Sequence, residues 1–116
     1  MAIPSGAGTE VLKQTMINTT DATEGVLING VANHIYTVLT VIWCEKANNA
    51  ELFHLYVKDD GGNTDYYIIA DGALGAYQTF VFNERLVITG TDELATIVNG
   101  TNSVDIICSY IDQDWT

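Results

Sequence analysis

His34-Ile-Tyr-Thr-Val-Leu-Thr-Val-Ile-Trp-Cys44 decides the fold. The stretch is β-branched, aromatic or aliphatic almost throughout, and it holds no glycine, proline or charge. That composition suits a strand covered on both faces. It leads through Glu45-Lys-Ala-Asn-Asn-Ala50, a polar segment, into Glu51-Leu-Phe-His-Leu-Tyr-Val57. There Phe53, Leu55 and Val57 alternate with Leu52, His54 and Tyr56, the period of a strand. Two β-rich runs joined by a short polar connection predict an antiparallel hairpin, the centre of one β domain.

Working outward, residues 10–17 suit a strand or a short helical turn. Val26-Leu-Ile28 is a short strand that stops at Asn29-Gly30, a pair that tolerates positive φ. The polar run Asp59-Asp-Gly-Gly-Asn-Thr-Asp65 predicts a second hairpin between Val57 and Tyr66-Tyr-Ile-Ile69. Further strands are expected at Gln78-Thr-Phe-Val-Phe82, at Leu86-Val-Ile88 after a turn or bulge at Asn83-Glu-Arg85, and at Leu94-Ala-Thr-Ile-Val98. In the last strand Val104, Ile106, Cys108 and Tyr110 alternate with Asp105, Ile107, Ser109 and Ile111. About eight short strands with turn signals every 8–12 residues, and no helical period, predict an all-β fold: a single antiparallel β-sandwich or jelly roll over residues 1–116. Residues 1–9 are expected to be an extended arm, and residues 112–116 a polar tail carrying Trp115.

The charge balance narrows the function. Of 116 residues, 47% are hydrophobic and 16% charged, against a norm of about 25% charged, and the formal net charge is −11. Lys13, Lys46, Lys58 and Arg85 are the only lysines and arginines, too few to supply the electrostatic term of phosphate-backbone binding, which argues against nucleic acid. Such an acidic surface keeps particles soluble and mutually repelling. No apolar run reaches the ~18 residues of a membrane span. The N-terminus lacks a basic region and an apolar core of signal-peptide length, so the product is expected to stay in the compartment where it is made. Cys44 and Cys108 are expected to be buried free thiols acting as small hydrophobes.

No catalytic constellation emerges. There is no nucleophile elbow, P-loop or paired-histidine zinc motif, and His34 and His54 read as strand histidines. Residues 59–70 open like a calcium loop, but Gly61 and Ala70 stand where that loop needs ligands. The expectation is a non-enzyme with no cofactor and no metal. The distinctive surplus is apolar: residues 35–43 and 66–69 are apolar on both faces, which points to a partner, often another copy of the chain.

Met1-Ala-Ile-Pro-Ser-Gly-Ala-Gly-Thr-Glu-Val-Leu-Lys13, Ala32-Asn-His-Ile-Tyr-Thr-Val-Leu-Thr-Val-Ile-Trp-Cys44, Thr79-Phe-Val-Phe-Asn83, Leu86-Val-Ile-Thr-Gly-Thr-Asp-Glu-Leu94 and Val104-Asp-Ile-Ile-Cys-Ser-Tyr-Ile111 together resemble small virion proteins of tailed bacteriophages, including marine ones. Ala32-Asn33 departs from the Pro-Ala-Gly turn common in that family before the long strand. The resemblance implies a β-sandwich subunit on the phage particle, commonly trimeric. Its place there is capsid decoration (cement) on the head surface, or else a tail or fibre component contacting the host receptor. It implies assembly in the host cytoplasm and two partners: the major capsid protein and the chain itself as a homotrimer. It carries no site residues.

The residues expected to meet partners come from the strand pattern and the chain ends. Period-two alternation allows either Tyr36, Val38 and Ile42, or their neighbours Leu39 and Val41, to face a neighbouring subunit. Ile3 and Pro4 are the apolar residues of the arm, and Pro4 has its φ already fixed. Trp115 either anchors an interface, with Asp112 and Asp114 seeking cations on the partner, or caps its own sandwich while those acids meet solvent.

Overall fold

The computed structural model describes residues 8–60, 64–100 and 103–115. It holds nine strands: β1 (Thr9–Thr19), β2 (Gly25–Asn29), β3 (His34–Glu45), β4 (Glu51–Lys58), β5 (Asp65–Leu74), β6 (Thr79–Phe82), β7 (Leu86–Thr89), β8 (Glu93–Asn99) and β9 (Val104–Asp114). They form two antiparallel sheets. One has the order β1-β9-β3-β6, with β7 also on β3; the other has the order β2-β8-β4-β5. The β6 and β7 strands lie end to end along one edge of β3, opposite Val41–Cys44 and Ile35–Val38 respectively, and so fill one strand position. Eight positions in two four-column layers, with every connection except β4–β5 and β6–β7 leading to the other layer, make a jelly roll. Residues 10–17, for which strand and helical turn were both open, lie in β1 and pair with β9 without interruption.

The central connection differs from the predicted hairpin. The β3 and β4 strands lie in different sheets, so residues 46–50 carry the chain from one layer to the other. Alternation along a strand states which face is apolar, not which sheet the next strand joins, and a five-residue link easily spans the ~10 Å between layers. The link is organised by Glu45, whose side chain is fully buried. Its carboxylate accepts hydrogen bonds from the backbone N–H of Ala47 (2.8 Å), Asn49 (3.1 Å) and Tyr77 (3.0 Å). Burial alone would raise the Glu45 pKa, but these donors outweigh it and hold the carboxyl below its ordinary value. Asn48 takes a φ of 59° in the same link, a conformation that asparagine tolerates.

The core lies between the layers. Trp43 on β3 meets Phe53 on β4 with ring centroids 4.7 Å apart. Its indole N–H donates to Thr96 Oγ1 on β8 (3.1 Å), and that hydroxyl donates to the His54 carbonyl (2.7 Å), so the buried polar groups at the centre are satisfied across the two sheets.

Candidate assembly interface

The face of β3 that meets water is set by one irregularity. Its register with β9 shifts between Val38 and Thr40, a β-bulge that leaves Leu39 exposed. Across the other edge the break between β6 and β7, residues 83–85, sits opposite the same point. Before the bulge Tyr36 and Val38 point inward, 3% and 4% exposed; after it Val41 and Trp43 do, both 0% exposed. Strict alternation therefore misassigned the strand. Tyr36, Val38 and Val41 belong to the subunit's own core, while Leu39 and Ile42 are left for the outer face.

On that outer face the strand registers align apolar side chains across the whole sheet. Met16 stands opposite Ile107, Ile107 opposite Ile42, and Ile42 opposite Val81. Beyond a polar row of Gln14, Ser109 and Thr40, Leu12 stands opposite Ile111, Ile111 opposite Thr37, and Thr37 opposite Val87. The outer columns are the more open, with Leu12 72%, Met16 68%, Val81 50% and Val87 55% exposed. A cavity of about 340 Å³ opens beside Met16 and Ile107, with Asn18 and Asp105 on its rim. Four columns ~4.8 Å apart and ~36 Å long give a footprint of about 700 Å². That is close to the ~800 Å² that a standard interface takes from each partner.

Charge avoids this face. On the strands that build it, Glu10 and Asp105 are the acids that point outward, one at each end. Glu10 is held by Gln113 (2.8 Å), and Asp105 by Asn18 (2.8 Å) and Lys46 (3.0 Å). The other acids of this sheet turn inward. Asp112, expected in a solvated tail, is buried within β9. There it accepts from Lys13 Nζ (2.7 Å) and lies 2.7 Å from His34 Nδ1. Burial would raise its pKa, but Lys13 and His34 hold it below the ordinary value. Lys13 and His34 both come from this chain, so Asp112 needs no cation from a partner.

The other sheet is mixed: it leaves Leu52, Tyr66 and Tyr67 exposed, the latter two from the segment expected to be apolar on both faces, but sets polar contacts beside them. Tyr56 on β4 donates to Glu24, which also accepts from Lys58 Nζ (3.0 Å), and burial together with Glu24 raises the Tyr56 pKa strongly. The Tyr67 ring covers Tyr56 at 5.1 Å and His54 at 5.6 Å. His54 in turn accepts from the backbone N–H of Asp71 (3.1 Å). Each histidine thus has partners within its own chain.

Trp115 follows β9, which runs to Asp114 and is no free tail. Its backbone N–H donates to the Asn33 carbonyl (3.0 Å), and its ring packs so closely on Gly8 that a Cβ there would fall 2.8 Å from Cδ2. Its indole N–H is buried without a partner among the described residues. Ile3 and Pro4 lie outside the described residues. Cys108 is buried, and burial pushes its thiol up to about 12. Cys44, expected to be buried, is only half-buried: it lies opposite Asp105 and hence on the outer face. The two sulfurs therefore stand on opposite sides of one sheet. Among the described residues no group of three His, Cys, Asp or Glu side chains is placed to hold a metal ion. The signal for the interface was present in the alternation of β9, but the bulge in β3 carries no glycine or proline to announce it.

No family model matches the sequence, and no curated protein sequence matches it. Among solved structures the chain is similar to one from the Bacillus endospore appendages, a family of disulfide-linked pili. The TM-score is 0.60 at 14% identity, over 100% of this chain and 97% of that one. It is also similar to a chain of infectious bursal disease virus. The Gx strain gives a TM-score of 0.59 at 9% identity over 95% of this chain, and the Gt strain 0.51 at 9% over 92%. This chain spans about a third of the virus chain (34% and 33%). At these identities the likenesses show a shared fold.

Proposed function

We propose that the chain is a structural subunit of a multi-copy particle, and specifically a bacteriophage capsid decoration protein. It lies on the outer surface of the head and binds the major capsid protein through the outer face of its five-stranded sheet. The observation that carries this reading is that face: two rows spanning every column, apolar except at Thr37 and free of charge except at the ends of the sheet, on a chain of net charge −11. Acids excluded from one face and crowded elsewhere let that face dock while the rest of the surface repels other particles. The likeness to a virus chain and to a filament chain, and the resemblance to phage virion proteins, support a role in assembly without catalysis. The test is immunogold labelling of virions together with protein quantification. Decoration of the head predicts label over the capsid and hundreds of copies per particle. Label confined to the tail, with a few or dozens of copies, overturns it.

One observation favours a second reading, a filament subunit: the appendage chain is matched end to end. A filament linked by disulfides needs at least two accessible thiols per subunit. This chain has two cysteines, and Cys108 is fully buried. A filament of this chain would therefore be held by non-covalent contacts, and it would survive reducing agent.

A further inference from the structure

The β1 strand ends its sheet. Among the described residues it pairs with β9 on one side and with no strand on the other; its contact with β2, in the second sheet, is the hydrogen bond from Thr15 Oγ1 to the Leu27 carbonyl (2.8 Å). The 11 residues of β1 run in unbroken register, without proline or bulge, two of the devices that protect an edge. It also carries the two most exposed large hydrophobic side chains of the described residues, Leu12 and Met16. The one cation in its middle, Lys13, is turned to the inner side and held by Asp112. A row of unpaired backbone groups flanked by open apolar side chains is the surface that an added strand would cover.

We infer that β1 pairs antiparallel with β1 of a second copy, about a two-fold axis passing through Gln14. This inference rests on the reading of the chain as an assembly subunit, and it names one partner, the chain itself. The sequence selects the register. A two-fold perpendicular to the sheet keeps outer side chains on the outer face, so it must pass through a residue and not between two. Gln14 is the midpoint of Thr9–Thr19, so this register pairs all 11 residues. It sets Leu12 opposite Met16 of the second copy, Lys13 opposite Thr15, and Glu10 opposite Asn18. No like charges meet, and the apolar pairs fall together. Shifting the axis to Lys13 sets Lys13 against itself and Met16 against Glu10. Shifting it to Thr15 sets Leu12 against Asn18 and Gln14 against Met16. In the Gln14 register residues i and 28 − i always have the same parity, so the outward-pointing N–H and C=O groups of one copy meet those of the other. The Met16 row of one copy then runs on into the Leu12 row of the second, giving one apolar band across both. The contact makes pairs of copies, and the outer face stays open to a different partner.

The test is site-directed disulfide trapping in a Cys44→Ser background, where Cys108 is buried. Gln14→Cys places two sulfurs at the axis, within the 4.4–6.8 Å Cα separation a disulfide needs. Leu12→Cys places them four residues apart along the seam, ~13 Å, out of reach. We expect mild oxidation to give a covalent dimer with Gln14→Cys and none with Leu12→Cys. Light scattering should report twice the 12.6 kDa chain mass for the unmodified protein. The Leu12→Lys/Met16→Lys variant should report a monomer with the wild-type circular dichroism spectrum. Equal trapping at both positions, or a wild-type monomer at 100 μM scale concentration, overturns the pairing. Should a monomer still decorate heads, the pairing fails and the assembly reading stands; should a trapped dimer form on a protein absent from virions, the reverse holds.

Discussion

Replacing Val41 by threonine and, separately, Ile42 by threonine tests the bulge that divides core from outer face. Both replacements keep a β-branched side chain, so strand propensity is nearly constant. Val41 is 0% exposed among apolar neighbours. Its replacement keeps the shape but buries a hydroxyl, which costs roughly 1–3 kcal/mol in proteins. Ile42 is half-buried on the outer face, where a hydroxyl can reach water; the change removes two carbon groups, and half of two methylenes' worth is ~0.8 kcal/mol. At about 4 °C per kcal/mol for a domain of this size, Val41→Thr should lower Tm by ~8 °C and Ile42→Thr by ~3 °C. Thermal unfolding followed by circular dichroism, on protein dilute enough to be monomeric, measures both. Uninterrupted alternation from Tyr36 and Val38 would put Ile42 inside and Val41 outside. If Ile42→Thr costs as much as Val41→Thr or more, the bulge at Leu39 is wrong, and with it the outer face.

In the native protein a thiol reagent at pH 8 should label one cysteine per chain, Cys44. Both should label after denaturation, because Cys108 is buried with its thiol pushed up to about 12; fast native labelling of Cys108 would contradict the packing. Glu45, Glu24 and Asp112 all have folded pKa values lowered from the ordinary 4.5 or 3.8, so their stabilisation is fully present above that range and is lost as pH falls through the lower folded values. Stability should accordingly be flat near neutrality and fall below about pH 4. Glu45→Gln should be less stable than wild type at pH 7 and approach it near pH 3; a difference constant over that range would show that the Glu45 charge does not hold the β3–β4 link.

Much of this was legible in the residues. The long strand at His34 and the alternation of β9 are local patterns, and local patterns survive folding; the turn expected at Asn29-Gly30 lies instead at Ala32-Asn33, where the His34 N–H donates to the Val31 carbonyl (3.1 Å) and Asn33 takes a φ of 65°. The partner of each strand is not local. The β3–β4 connection read as a hairpin because Asn48-Asn49 suits any reversal, while the feature that makes it a crossing, a glutamate turned inward to collect three backbone N–H groups, depends on Tyr77 arriving from 32 residues away. Asp112 was misplaced for a similar reason. A carboxylate near a chain end reads as solvated until Lys13, 99 residues earlier, is seen beside it. The outer face could be half derived, from Ile107 and Ile111, but its β3 members depended on a bulge that nothing in the sequence marks.

In the proposed assembly the outer face of the five-stranded sheet docks on the capsid. The most direct measurement is incorporation of two folded variants into particles stripped of the wild-type subunit: Ile107→Glu, at the middle of the Met16 row, and Tyr67→Glu, on the opposite sheet. A glutamate facing a dry apolar contact leaves a charge unpaired, so Ile107→Glu should bind at least tenfold more weakly, about 1.4 kcal/mol, while Tyr67→Glu binds as wild type. Equal binding by Ile107→Glu and wild type, with Tyr67→Glu impaired, would place the docking surface on the other sheet.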